Sequence, residues 1–244
     1  MRCFTGDDTG LVKRLDIAGR GSSGSTTARW GEQAAGGGAD RVCYAGSLGC
    51  VGAGLANGTV RFWRTDAGGG GGDTVANFDA HAQKGLGTAA LHVVEGSAPR
   101  VMAVDKRGCV RVWRWPEQSN EAAAEAATPV MSDMGRDIIA ASIDADGSRV
   151  VSGGRGCDPV VWDVNAAAAT FTARNVPHDN LDLPVPVWIS GVSFLPGQPQ
   201  QFVASTGFVE QRLRGEVRLY DVAAKRRPVM RKLGAHQLPL HSNC

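Results

Sequence analysis

The sequence predicts an all-β fold, a β-propeller or a similar β-array, and three observations carry that reading. A short pattern, Gly-x-Val-x-apolar-aromatic, recurs at Gly58 to Trp63, Gly108 to Trp113 and Gly215 to Tyr220, with looser copies over Asp158 to Asp163 and Gly10 to Asp16. The residues that close the pattern, Leu15, Trp63, Trp113, Trp162 and Tyr220, follow one another at gaps of 48, 50, 49 and 58. Repeats of such length built from short β-type runs are the mark of blades. Nowhere is a 3.6-residue apolar period sustained, and the 33 glycines among 244 residues, about twice ordinary usage, punctuate the β-branched runs as turn residues do.

Five approximate units follow, 1–35, 41–80, 86–134, 137–175 and 187–233. In the fourth, Ile138 to Ile143 reads as a first strand, Asp146-Gly147 as a tight turn, and Arg149 to Ser152 as a second strand. Gly154 to Asp158 then reads as a turn, Val160 to Val164 as a third strand and Thr170 to Ala173 as a fourth. Alternation in Val-Arg-Phe-Trp and Val-Arg-Val-Trp predicts one face turned inward and the other, with the arginines, turned out. At the ends of these apolar strands Trp63, Trp113, Trp162 and Tyr220 are expected to be blade core. His81 and His236, each following an alanine ahead of a new unit, are expected to bond a strand hydroxyl such as Ser152.

Low-complexity inserts separate the units. Gly19 to Ser25, Gly36 to Gly38 and Gly68 to Gly72 read as flexible rim connectors, and the alanine-rich stretch Glu121 to Ala127, which lacks an apolar stripe, reads as an inter-blade loop. Three prolines among Pro177 to Pro186 forbid a central strand, while Leu181, Leu183, Val185 and Trp188 are too apolar for a free loop. An ordered, extended surface segment is therefore expected, serving either as a rigid cover for a blade edge or as a docking surface.

Charge and composition narrow the function. Formal charge is +2 overall, but Glu210 to Lys232 carries eight basic residues against Glu210, Glu216 and Asp221. Such a patch fits a polyanion, an acidic partner surface or a solvated strand rim. No apolar run approaches 18 residues, so no membrane-spanning helix is expected. The opening residues hold Asp7 and Asp8 and no apolar core, so no secretory signal is expected. Six cysteines without a C-x-x-C pair predict reduced thiols rather than a disulfide framework or a zinc ribbon.

Catalytic and cofactor signatures are missing from the letters. Gly19-Arg-Gly21-Ser-Ser-Gly24 spells a dinucleotide fingerprint, but Ser25 to Gly31 cannot build the helix that would hold a pyrophosphate. There is no P-loop, nucleophile elbow or H-E-x-x-H, and the five histidines show no ligand spacing. Neither a cofactor nor a metal is expected.

The endings Trp162-Asp163 and Tyr220-Asp221 resemble the third-strand signature of WD-repeat propellers. A longer series is more specific: Ala173-Arg-Asn-Val, Asp179, Leu181-Asp-Leu183, Val185-Pro-Val-Trp188, Phe194-Leu-Pro-Gly197, Thr206-Gly207, Val217-Arg-Leu-Tyr-Asp221 and Arg226-Arg-Pro-Val229. In that order and spacing it resembles the WD repeat-containing protein 74 family, as does the opening Thr5 to Lys13. The resemblance implies a non-enzymatic, nucleolar and nuclear scaffold of large (60S) ribosomal subunit assembly. It would dock on pre-60S assembly factors and pre-ribosomal RNA, support rRNA processing, and be released by an AAA-type ATPase. Matching positions Arg174, Asn175, Asp179, Asp182, Trp188, Arg226 and Arg227 are the implied partner contacts.

Members of that family resemble seven-bladed propellers, so five motifs imply an incomplete one, about five of seven blades, truncated at its C-terminus. A generic WD-repeat adaptor, such as a ubiquitin-ligase substrate receptor, is the alternative. Such receptors carry an arginine two residues past the Trp-Asp pair, where this chain has Asn165 and Ala223.

Overall fold

In a computed structural model of the chain, residues 2–17, 25–65, 73–79, 86–116, 129–135, 137–207 and 215–233 are described. They form antiparallel sheets, with no helix among them. Each sheet is a meander whose neighbours in sequence are neighbours in space. The first holds β1 (Arg2–Gly6), β2 (Val12–Asp16) and β3 (Ser25–Trp30), and the second β4 (Ala39–Ala45), β5 (Cys50–Leu55), β6 (Thr59–Arg64) and β7 (Thr74–Asp79). The third holds β8 (Thr88–Val94), β9 (Arg100–Asp105), β10 (Val110–Arg114) and β11 (Pro129–Met131). The fourth is β12 (Ile138–Ile143), β13 (Arg149–Gly154), β14 (Cys157–Asp163) and β15 (Ala168–Thr172), and the fifth β16 (Ile189–Leu195), β17 (Gln198–Thr206), β18 (Glu216–Asp221) and β19 (Lys225–Leu233). From the second sheet onward, the recurring motif is the third strand. Five sheets of three or four strands are consistent with WD-repeat propeller blades.

Two compact units are distinguished, the first containing β1 to β9 and the second β12 to β19. In the first, Val12, Trp30, Val51, Ala53 and Trp63 share one apolar core, and Val60, Phe62, Phe78, Val101 and Trp113 another. In the second, Val151, Val161, Ile189, Phe202 and Tyr220 belong to a single core.

Those clusters correct the expectation that strands turn one face in and the other out. On β6, Phe62 and Trp63 are adjacent and so point to opposite faces, yet both are buried, each in a different cluster. A sheet packed on both sides buries both faces, and Arg61, on the face of Trp63 by alternation, is half-buried.

Three boundaries are corrected as well. The turn expected over Gly154 to Asp158 narrows to Arg155-Gly156, because Gly154 already pairs with Cys157 and Gly156 takes a left-handed φ of 71°, which favours glycine. The third strand thus starts at Cys157 rather than Val160, and the fourth runs Ala168–Thr172 rather than from Thr170. Gly36 to Gly38 is not a free connector. Gly37 is buried, the Ala39 amide donates to the Asp7 carbonyl at 2.8 Å and the Ala56 amide to the Gly38 carbonyl at 2.7 Å. Residues 19–24, 68–72 and 121–127, and His81 and His236, lie outside the described residues.

The opening motif also has a structural use. Asp7 Oδ1 accepts from the amides of Thr9 and Leu11, each at 3.0 Å, and from the Thr9 hydroxyl at 2.7 Å, while Oδ2 meets Lys13 Nζ at 2.7 Å. Burial alone would raise this carboxyl; the bonds from Lys13, Thr9 and Leu11 outweigh it and hold the pKa far below the usual range.

Candidate functional site

All seven positions implied as partner contacts fall within the second unit, between the end of β15 and the start of β19. The segment between β15 and β16 carries most of them. It leaves the sheet with its backbone still engaged: the Ala173 amide donates to the Pro159 carbonyl and the Arg174 amide to the Arg226 carbonyl, both at 2.8 Å. Ala173 and Val176 are buried and anchor it. At its far end the Gly156 amide donates to the Val187 carbonyl at 2.8 Å, and Trp188 bridges Arg155.

Between these anchors the chain turns back on itself. Asp179 Oδ1 accepts from the amides of Leu181 at 2.9 Å and Leu183 at 3.0 Å, and the Asp179 amide donates to the Leu183 carbonyl at 3.0 Å. A side-chain oxygen that accepts amides two and four residues on fixes the turn as an Asx motif does. Asp182 closes it with a φ of 58°, and its carboxylate lies 3.0 Å from His178 Nδ1. What this ordered turn displays is Leu181, 78% exposed. The segment is therefore ordered and non-strand, as its prolines and leucines predict.

The arginines come together at the neighbouring edge. Arg226 Nε donates to the Thr172 carbonyl at 2.6 Å while the Arg226 carbonyl accepts from Arg174. Two arginines 52 positions apart in sequence are thus placed on one exposed edge, with Arg227 beside them. Trp188 stands elsewhere: its ring lies under Arg155 at 5.5 Å, and its carbonyl accepts from the Gly207 amide at 2.8 Å. A Cβ on Gly207 would come within 2.7 Å of that ring, so glycine is what lets the backbone approach.

Asn175 is not placed for a partner. Its Nδ2 donates to the Val185 carbonyl at 2.6 Å, and its Oδ1 accepts from the Val176 amide at 2.8 Å and from Arg218 Nη1 at 2.9 Å. Both ends of the carboxamide are engaged within the chain. A short polar side chain at this bend satisfies backbone groups that a proline-rich loop cannot pair in a ladder.

Arg218 shows what the charge count concealed. Counted as part of a basic patch, it is fully buried, and so is Glu216. Arg218 Nε donates to Glu216 Oε2 at 2.8 Å, and Arg231 Nη2 to Glu216 Oε1 at 2.6 Å. Burial would raise Glu216, but the bonds from Arg231 and Arg218 hold its carboxyl below the ordinary range. Asp158 and Tyr220 lie in the same field. Burial pushes both up, and the Arg218 charge opposes it in each. The signal was in the letters: alternation places Glu216, Arg218 and Tyr220 on one face, the face of the core tyrosine. The exposed patch reduces to Lys225, Arg226, Arg227, Arg231 and Lys232 on β19; Glu210, Arg212 and Arg214 lie outside the described residues.

Of the four aromatic positions expected in the core, Trp63, Trp113 and Tyr220 are buried. Trp162 is only half-buried, and its Nε1 donates to the buried Ser152 hydroxyl at 3.0 Å, the bond expected of a histidine. Among the described residues no group of three or more His, Cys, Asp or Glu is placed to hold a metal ion. Chemically, the surface offers guanidinium donors at one edge and carboxylates with an apolar side chain at a rigid turn, which suits macromolecular contact.

No family model matches the chain. It is similar to WD repeat-containing protein 74 of Homo sapiens, with 40% identity over 83 residues, a stretch that is 33% of this chain and 20% of that protein. The protein of the same name from Mus musculus is 43% identical over 72 residues, 29% of this chain and 17% of its own. The matched part thus spans about a fifth of these relatives.

Proposed function

We propose that this chain is a non-enzymatic docking scaffold in large ribosomal subunit assembly and pre-rRNA processing, acting in the nucleolus and nucleus. Its partners are pre-60S assembly factors and pre-ribosomal RNA, and an AAA-type ATPase releases it. The observation that carries this reading is the joining of Arg174 to Arg226 at 2.8 Å, on an exposed edge of a chain similar to WD repeat-containing protein 74. Guanidinium groups on a fixed backbone bind phosphate or carboxylate with little ordering cost. Within the proposed surface Arg174, Arg226 and Arg227 supply the cations, Asp179 and Asp182 the acceptors at the turn, and Asn175 and Trp188 hold the segment.

Sedimentation of the tagged chain tests this directly. Co-migration with pre-60S particles is expected, weakened by Arg226→Glu with Arg227→Glu. If phosphates are the target, a rise in salt lowers the binding of the native chain steeply. A chain that stays with free protein at low salt, although folded, rejects the reading.

A further inference from the structure

We propose that the outer edge of β19 receives an acidic, extended segment of a partner protein as an added antiparallel strand. This rests on reading the Arg174–Arg226–Arg227 face as a docking surface, and it names the chemistry of what docks there. β19 ends the order β16-β17-β18-β19, so β18 pairs with one of its sides and the other borders no strand of that sheet. Among the described residues, the backbone contact on that side is at Arg226, whose carbonyl accepts from Arg174. Beyond Pro228 the strand runs on through Val229, 38% exposed, and Met230, 63% exposed.

β19 carries some of the devices that protect an edge, lysines, Pro228 and a bulge that leaves Arg226 to Val229 out of register with β18. It nevertheless has nine residues, no acidic side chain from Lys225 to Leu233, and an ordered series: the Arg226-Arg227 pair, then Val229-Met230, then Arg231-Lys232. An added strand draws affinity from its backbone and selectivity from the side chains set opposite. The complement of this series, read antiparallel, is an acidic pair, an apolar pair, one spacer and a second acidic pair. A single-stranded RNA fits less well. Strand-tracking RNA surfaces set aromatic side chains among their cations for base stacking, and β19 has no aromatic residue.

The test is fluorescence anisotropy with the full chain and a labelled Glu-Glu-Val-Val-Thr-Glu-Glu peptide. Three comparisons accompany it: the same peptide N-methylated at alternate amides, a decameric oligouridylate, and the Arg226→Glu with Arg227→Glu variant, its fold checked by circular dichroism. Saturable binding is expected, weakened about tenfold or more by N-methylation and by charge reversal. If that variant misfolds, Lys232→Glu replaces it, with the same expected direction. Equal binding of the N-methylated peptide would mean charge attraction alone and overturns the added strand, as does no binding at all. RNA binding without peptide binding overturns it too, while leaving the docking surface standing. Conversely, a chain that binds the peptide but never joins pre-60S particles keeps the added strand and loses the assembly role.

Discussion

Arg218 and Glu216, two residues apart on β18, form an ion pair of 2.8 Å with both side chains buried. The same Glu216 accepts from Arg231 on the next strand, and the same Arg218 donates to Asn175 of the proline-rich segment. One carboxylate therefore links the exposed edge strand, through Arg218, to the segment beside it. The proposed docking surface lies over this charge network.

Removing one partner of a buried ion pair leaves the other charge without compensation. Glu216→Ala should lower the unfolding free energy by about 3 to 5 kcal/mol, measured by urea denaturation. A loss under about 1 kcal/mol, the range of an exposed pair, would mean that Arg218 is hydrated.

Acid should act through the same group. The Glu216 carboxyl is held below its ordinary value of 4.5, so its contribution is complete above that value and lost as pH falls through the lower, folded one. Asp158 works in the opposite sense: burial raises its folded pKa above 3.8, so it weakens the fold as pH rises through that interval. Urea midpoints of the native chain and of Glu216→Gln, compared from neutral to acid pH, should differ most above pH 4.5 and converge below it. Parallel curves would dismiss the role of Glu216.

Two tryptophans at equivalent repeat positions should behave differently. Trp63→Ala empties a buried site and should cost about 3 to 5 kcal/mol. Trp162→Phe keeps most of the ring but removes the donor to Ser152, and should cost about 1 kcal/mol. Equal losses in thermal unfolding would contradict their different burial.

Gly207→Ala would set a methyl group 2.7 Å from the Trp188 ring. The φ of Gly207 is not in the left-handed region, so the penalty is steric, about 1 to 3 kcal/mol as for an overpacked core. A displaced Trp188 resonance in the fluorinated-tryptophan NMR spectrum is expected. An unshifted spectrum would show that the ring has room.

Asp179→Ala should free the turn without loosening the sheets. Hydrogen exchange at the Leu181 and Leu183 amides, both bonded to Asp179 Oδ1, should speed up while that of Val203 and Leu219 in the strands stays slow. Unchanged exchange at the turn would refer its order to the prolines alone.

The sequence by itself determined the period, the strand class and the ordered character of the proline-rich segment. Those properties are local: alternation, β-branching, turn glycines and prolines act over a few residues. It also holds the alternation that puts Glu216, Arg218 and Tyr220 on one face. Only the tertiary structure decided which faces are buried, because Phe62 and Trp63 each need a different neighbouring cluster. Tertiary structure alone likewise took Arg218 out of the surface charge and set Arg174 beside Arg226, since a contact across 52 residues, between the end of the fourth sheet and the edge of the fifth, is fixed by how the chain is placed in space and not by either residue's surroundings in the chain.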